Sequence, residues 1–212
     1  MAEGLRERKK RRTRQHISDV ATALFLERGF VAVTIAEIAE AAEVSVNTVY
    51  NYFPAKEDLF LDRAEDAVDR LSRWVRGRRA GESAARAVLR ELREAVETLS
   101  PAVGLVVGYA DFMRVVLEAP ALRSRLWQIR QDGLAELERT LRAETGAPAD
   151  DPVPALIAGQ LDWLNTALAH WIAAEMARSR DPREVSREAL ALVDEMEDLL
   201  GERVLAYATR LA

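Results

Sequence analysis

The sequence predicts an all-α protein of about nine helices, with an N-terminal three-helix helix-turn-helix domain followed by a longer helical domain. Three observations predict it. Its 212 residues hold only 10 glycines and 7 prolines, fewer than the roughly 12% of an average chain, which favours long helices over a strand-and-turn sandwich. Apolar residues recur with the helical period from Ile17 onward. Two helix-start signals, at Thr34 and Ser45, stand within a dozen residues of each other.

Composition removes several functions. Hydrophobic residues make up 49% of the chain, enough for a sizeable core. The absence of cysteine excludes a disulfide scaffold, a thiolate zinc site and a cysteine nucleophile, and fits a reducing cytoplasm. No apolar run approaches the 18 or so residues of a membrane span, the longest being Ala102 to Ala110. No uninterrupted apolar stretch follows the basic start, so a secretory signal is not expected, and the expected location is the cytoplasm. The only two histidines, His16 and His170, lie far apart and no cluster of His, Asp and Glu sits at ligand spacing, so neither metal nor cofactor is expected.

Charge is unevenly spread. The net charge is −5, yet residues 1–16 carry +5 through Arg6, Arg8, Lys9, Lys10, Arg11, Arg12 and Arg14, against Glu3 and Glu7. Residues 17–53 carry −4 and residues 54–212 carry −6. A basic arm on an acidic body points one end of the molecule at a polyanion; the alternative is a solvated tail.

The elements follow in order. Ile17, Val20, Ala21, Leu24 and Phe25 form one helical stripe, stopped by Gly29, with Phe30 placed to fold back on it. Thr34 and Glu37 form a capping box, and Val33 and Ile38 the hydrophobic staple around it; Ile35, Ile38, Ala39 and Ala42 supply the buried face. The second helix ends near Ala41, three residues turn, and Ser45 caps the next helix between staple residues Val44 and Val49. Small Ala39 permits close approach of the two helices, and Val44 plugs the gap between them. In the third helix Val49 and Phe53 face inward. This leaves an uncharged outward surface of Val46, Asn47, Thr48, Tyr50, Asn51 and Tyr52. A merely solvated helix would carry Glu, Lys and Arg there. Short donors and acceptors beside tyrosines suit a helix whose N-terminus enters the major groove, where Asn pairs with adenine and Val meets a thymine methyl. The competing reading is a polar-faced subdomain with no DNA role.

These residues resemble the DNA-binding domain of TetR-type bacterial transcription regulators over about Lys10 to Leu61, centred on "ALFLERGFVAVTIAEIAEAAEVSVNTVYNYFPAKEDLF". Matching positions are Gly29, Phe30, Thr34, Ile38, Ala39, Ala42, Val44, Ser45, Thr48, Val49, Tyr50, Tyr52, Phe53 and Lys56. The resemblance implies that Thr34 and Ser45 cap helices at the backbone phosphates. It implies that Thr48, Tyr50, Tyr52 and Lys56 contact phosphate, and that Val46, Asn47 and Asn51 face base edges. Three positions depart from the pattern: Glu43 replaces a turn glycine, Ala55 replaces a Ser or Thr cap, and Val46 is apolar where Lys, Pro or Arg is frequent.

The remainder reads as long helices. Lys56 to about Arg76 carries the stripe Phe60, Ala64, Ala67, Val68, Leu71, Trp74 and Val75. After the connector "GRRAGES", helices are expected over about 82–99, 101–118, 120–145, 153–179 and 183–211, with "TGAPADDPVP" as the main loop. The domains expected are a basic arm over 1–16, a helix-turn-helix domain over 10–56 (the motif itself about 34–53) and a ligand-binding and dimerisation domain over 57–212. The penultimate helix is apolar over more than one stripe (Val153, Ile157, Leu161, Leu164, Leu168, Trp171, Ile172). The last carries Ala189, Leu192, Val193, Met196, Leu199, Leu200, Val204, Tyr207 and Leu211. The two serve either one intrachain core or a four-helix dimer interface, and the resemblance implies the latter. Tyr109, Phe112, Met113, Trp127, Arg130, Trp163, Asn165, Thr166 and His170 are candidates for a small-molecule pocket, the alternative being ordinary core aromatics with satisfied polar tips.

The function expected is a non-enzymatic, dimeric DNA-binding regulator: a repressor on a palindromic operator, released by a small-molecule effector that tilts the fourth helix through Leu71 and Trp74. The alternatives are an all-helical enzyme, a ligand-binding protein with no DNA role, and a bundle that binds only protein.

Overall fold

The computed structural model describes residues 4–62 and 67–211. The helices, in order, are α1 (Leu5–Arg28), α2 (Ile35–Ala41), α3 (Val46–Tyr52), α4 (Lys56–Phe60), α5 (Arg70–Arg76), α6 (Ala84–Glu97), a 3-10 turn (Pro101–Val103), α7 (Tyr109–Glu118), α8 (Pro120–Thr145), α9 (Val153–Met176), α10 (Pro182–Asp198) and α11 (Glu202–Leu205). Among the described residues there is no strand, and no helix is long and apolar enough to cross a membrane. The chain forms two compact units: Met1–Glu65 with Asp111–Trp127, and Asp66–Ala110 with Gln128–Ala212.

The first unit is built as its local signals require. α1 buries Ile17, Ala21 and Phe25, and ends at Gly29 (φ +81), whose N–H donates to the Phe25 carbonyl at 2.9 Å. Phe30 folds back until its ring lies 5.0 Å from that of Phe25. Phe25 meets Phe60 of α4 edge-on at 5.6 Å, and Phe60 stacks on Phe112 of α7 at 4.5 Å. Four aromatic rings therefore run in series through the core of this unit.

Between α2 and α3 the chain closes a Schellman turn. The Val44 N–H donates to the Ala39 carbonyl (2.9 Å) and the Glu43 N–H to the Glu40 carbonyl (3.0 Å). That turn needs a left-handed residue after the cap, and Glu43 takes it at φ +54. A side chain there pays a steric penalty that glycine escapes. Glu43→Gly is expected to raise stability by about 1 kcal/mol, read as a higher urea midpoint at unchanged slope.

The second unit packs α5, α9, α10 and α11 around α6. Val88, Leu89, Leu92 and Val96 of α6 share a core with Ile157, Leu161, Leu164, Leu168 and Ile172 of α9 and with Val185, Ala189, Val193 and Met196 of α10. Buried Ser186 donates to the Val96 carbonyl at 2.8 Å, tying α10 to the end of α6.

Several expected boundaries move. The basic arm is helical from Leu5, continuous with the helix whose apolar stripe starts at Ile17. The helix expected over 56–76 is described as α4 and α5, α4 ending at Leu61 (φ −97, ψ 14); Ala64 of the expected stripe lies outside the described residues. The helix expected over 101–118 is a 3-10 turn, a loop and α7, because Gly104 and Gly108 both take positive φ. At Gly104 a Cβ would stand 2.6 Å from the Tyr109 ring, so the bend also needs the missing side chain. The last expected helix stops at Asp198 and resumes at Glu202, with Gly201 extended between. α9 ends at Met176, three residues short of the expected 179.

Candidate nucleic-acid interface

The recognition segment starts from two caps. The Thr34 hydroxyl accepts from the Glu37 N–H (3.2 Å), while the Glu37 carboxylate accepts from the Thr34 N–H (2.7 Å) and from Arg28 (2.6 Å). These donors, the Arg28 guanidinium first, hold the Glu37 carboxyl down at about 2, against an ordinary 4.5. A depressed carboxyl contributes stability above its unfolded pKa and loses it as the pH falls through its folded value. Glu37 is therefore expected to add a stability slope between about pH 4.5 and 2, absent in Glu37→Gln and weakened by salt because the pair is exposed. Acid titration of both proteins by circular dichroism checks this.

Ser45 caps α3. Its hydroxyl accepts from the Thr48 N–H at 3.0 Å and lies 2.8 Å from the Thr48 hydroxyl. Behind the helix Val49 and Phe53 are buried; in front Val46 (42% exposed), Asn47, Tyr50 (50% exposed) and Asn51 are open, with Thr48 and Tyr52 half-buried. Thr34 and Ser45 are exposed as well. This is an uncharged face on a capped helix of seven residues, bounded by tyrosines.

Lys56 is half-buried. Its ammonium donates to the Phe30 carbonyl and sits 4.4 Å from the centre of the Phe30 ring, and burial pulls its pKa below the usual lysine range. It thus holds the start of α4 on the end of α1. Ala55 supplies no side-chain cap; the carboxylate of Asp58 instead accepts from the Ala55 N–H at 3.1 Å.

Two supports escaped the sequence analysis. Arg14 of α1 donates to the Tyr52 carbonyl (2.9 Å) and to Asp62 (2.8 Å), and its guanidinium lies 4.6 Å from the centre of the Phe53 ring. It therefore fixes the C-terminal end of α3, where a cation also meets the negative end of the helix dipole. Arg125 of α8 donates to buried Asp58 at 2.8 Å. Neither partner is near in sequence, so no local pattern signals them.

The pocket candidates divide between the units. Phe112, Met113 and Trp127 belong to the first; Tyr109, Arg130, Trp163, Asn165, Thr166 and His170 to the second. Phe112 is spent in the aromatic series, and Trp127 is 65% exposed. Arg130 donates to the Thr166 hydroxyl at 2.7 Å, and that hydroxyl lies 3.5 Å from Asp162, whose pKa burial raises. Burial also raises the pKa of Tyr109. Trp163 (45% exposed) and His170 lie on the outward side of α9. A cleft of about 360 Å³ beside Arg79, Arg86 and Arg93, and another of about 300 Å³ beside Phe30, Val31 and Val115, are lined by none of these nine residues.

Two short helices joined by a three-residue turn, the second presenting an open polar face, define a helix-turn-helix DNA-binding protein. Residues 17–62 match the model of the family described as bacterial regulatory proteins, tetR family. The chain is 31% identical over 156 residues to the HTH-type transcriptional regulator TcmR of Streptomyces glaucescens, covering 70% of this chain and 67% of that one. Its fold is similar to that of NalD, described as the secondary repressor of the MexAB-OprM multidrug efflux pump in Pseudomonas aeruginosa (TM-score 0.57, 21% identity, 88% of this chain and 97% of that one). It is also similar to SmeT, solved as a triclosan complex (TM-score 0.56, 20% identity, 85% and 89%). The chain belongs to the tetR family of transcriptional regulators.

Proposed function

We propose that this regulator is a cytoplasmic repressor that binds a palindromic operator as a homodimer and leaves it when a small molecule binds. The observation that carries the reading is the open, uncharged front of α3, with Val46, Asn47, Tyr50 and Asn51 exposed on a capped helix whose rear is buried. In this reading Val46, Asn47 and Asn51 meet base edges. Thr34, Ser45, Thr48, Tyr50, Tyr52 and Lys56 position the helix on phosphates. The domain assignment follows: a helix-turn-helix domain within 10–56 and a sensing and dimerisation domain over 57–212.

One recognition helix grips a short stretch of duplex, and a two-fold pair doubles it onto a palindrome. The outward face of α9 supports the pairing through the last helices. Leu156 is 63% exposed there, and Gly159, Gln160, Trp163, His170 and Ala174 continue an uncharged strip at helical spacing. In this reading Trp163 and His170 belong to the dimer face, and Tyr109, Arg130, Asn165 and Thr166 remain the polar and aromatic candidates for effector contact. The triclosan bound to SmeT supports a small apolar effector. An effector releases DNA only by its difference in affinity between the DNA-free and DNA-bound forms.

Selection of bound DNA from a random pool tests the proposal. A recovered palindrome is expected; no enrichment, or a single unrepeated half-site, overturns it. On the selected site Asn47→Ala is expected to relax preference at one base-pair position of each half, by about 1–3 kcal/mol. Titration against single-base operator variants reads it.

A further inference from the structure

We propose that the first two turns of α1 are a second DNA contact, a basic helical arm that lies along the phosphate backbone beside the groove taken by α3. The inference rests on the DNA-docking reading of α3 and adds a site to it.

From Arg6 to Arg12 every residue is exposed, and six of the seven are basic. Arg6, Arg8, Lys9, Lys10 and Arg12 make no ion pair among the described residues. A helix is an unfavourable form for this segment left to itself. Positive charges at a helix N-terminus oppose its dipole. Arg6 and Lys10, Arg8 and Arg12, and Lys9 and Arg12 repel each other at three- or four-residue spacing. Gly4 supplies no side-chain cap, and no side chain over 6–12 is buried. A polyanion reverses the sign of the first two terms, because each phosphate it brings both screens the repulsion and releases counterions.

Position points to DNA as that polyanion. Arg14, half a turn beyond Arg12, is fixed by the Tyr52 carbonyl at the C-terminal end of α3. The arm therefore leaves the unit beside the recognition helix. At about 1.5 Å per residue it carries Arg6 some 12 Å farther, a distance spanning about three to four base pairs. From Arg6 to Thr13 there is no large apolar side chain, so the arm has nothing to insert into a lipid surface.

The test compares the full chain with a variant carrying Arg6→Gln, Arg8→Gln, Lys9→Gln, Lys10→Gln and Arg12→Gln. The affinity of each for the selected operator and for a scrambled duplex is measured from 50 to 200 mM salt. Glutamine keeps helix propensity and removes repulsion, so the melting temperature is expected to stay level or rise. The slope of log affinity against log salt is expected to fall by about 2–4 per bound copy, with roughly 100-fold weaker binding near 150 mM. The operator-to-scrambled ratio is expected to stay unchanged, because phosphate contacts carry no sequence. An unchanged slope overturns the arm and leaves α3 standing. So does an unchanged slope accompanied by loss of binding to anionic vesicles, which would assign the arm to membranes. A reduced slope together with an Asn47→Ala variant that discriminates as the parent does would overturn the α3 reading while leaving the arm.

Discussion

Phe25→Ala is expected to lower the unfolding free energy by about 3–5 kcal/mol, the range for removing a fully buried aromatic ring. Phe25 stands in the middle of the aromatic series, with Phe30 on one side and Phe60 on the other, and the Lys56 ammonium 5.5 Å from its ring. Its loss opens a cavity that its neighbours fill poorly. Phe30 is held by the left-handed Gly29 and by Lys56, and Phe60 by its stack on Phe112. The damage should be local. The first unit has its own core, so amide exchange is expected to quicken in α1 to α4 and in the part of α7 that belongs to this unit. Exchange should stay slow in the core around Leu161 and Leu164. DNA binding should fall with it, because α3 is held from behind by Val49 and Phe53 in the same core. A loss below about 1 kcal/mol by urea unfolding would show that the rings repack, and would remove this unit's claim to a rigid rear wall.

How much of this was legible follows the range of the interactions. Thr34 with Glu37, Ser45 with Thr48, and Gly29 with Phe25 are partners three or four residues apart, so the caps and stops of the first unit stand in the sequence as short patterns. Glu43 was legible as a departure only through the resemblance, which implies a glycine at that turn position; the structure puts Glu43 there at φ +54. The helical arm left no trace, because amphipathic periodicity records burial and residues 6–12 bury nothing. The break near Gly104 was hidden by apolar neighbours whose spacing still suits a helix; it depends on the Tyr109 ring occupying the space of a missing Cβ. Phe30 was legible as a neighbour of the stripe that ends in Phe25, but Phe60 and Phe112 were visible as types and not as neighbours. Phe112 reads in the sequence as a pocket candidate or an ordinary core aromatic, and its ring stacks on Phe60, a partner 52 positions away. Arg130 and Thr166, both pocket candidates, meet in a hydrogen bond across 36 positions that no local pattern signals.

The contact between Asp58 and Arg125 is the least local support of the interface, and its removal carries the second large effect. Asp58 is buried, and its two oxygens are divided between the Ala55 N–H at the start of α4 and the Arg125 guanidinium of α8. Only Ala55 and Pro54 separate the end of the recognition segment at Phe53 from Lys56, the first residue of α4, so whatever fixes Ala55 also fixes the exit of α3. Arg125→Met leaves the carboxylate buried with a single backbone donor, and the uncompensated charge is expected to cost about 3 kcal/mol. Asp58→Ala removes the acceptor for both donors and is expected to cost a similar amount, with the Ala55 N–H left without its side-chain partner. In the double variant the buried charge is gone together with its counterion. The two losses should therefore fall short of their sum by about 1–3 kcal/mol in a double-mutant cycle. Additive losses would mean that the two residues act separately. Ala55→Ser tests the same joint from the other side. It supplies the missing cap hydroxyl, is expected to add about 1 kcal/mol, and should recover part of the Asp58→Ala loss if that loss comes from the start of α4. If binding to the selected operator falls in Asp58→Ala and returns in the Ala55→Ser background, α8 supports the DNA-binding surface through the first turn of α4.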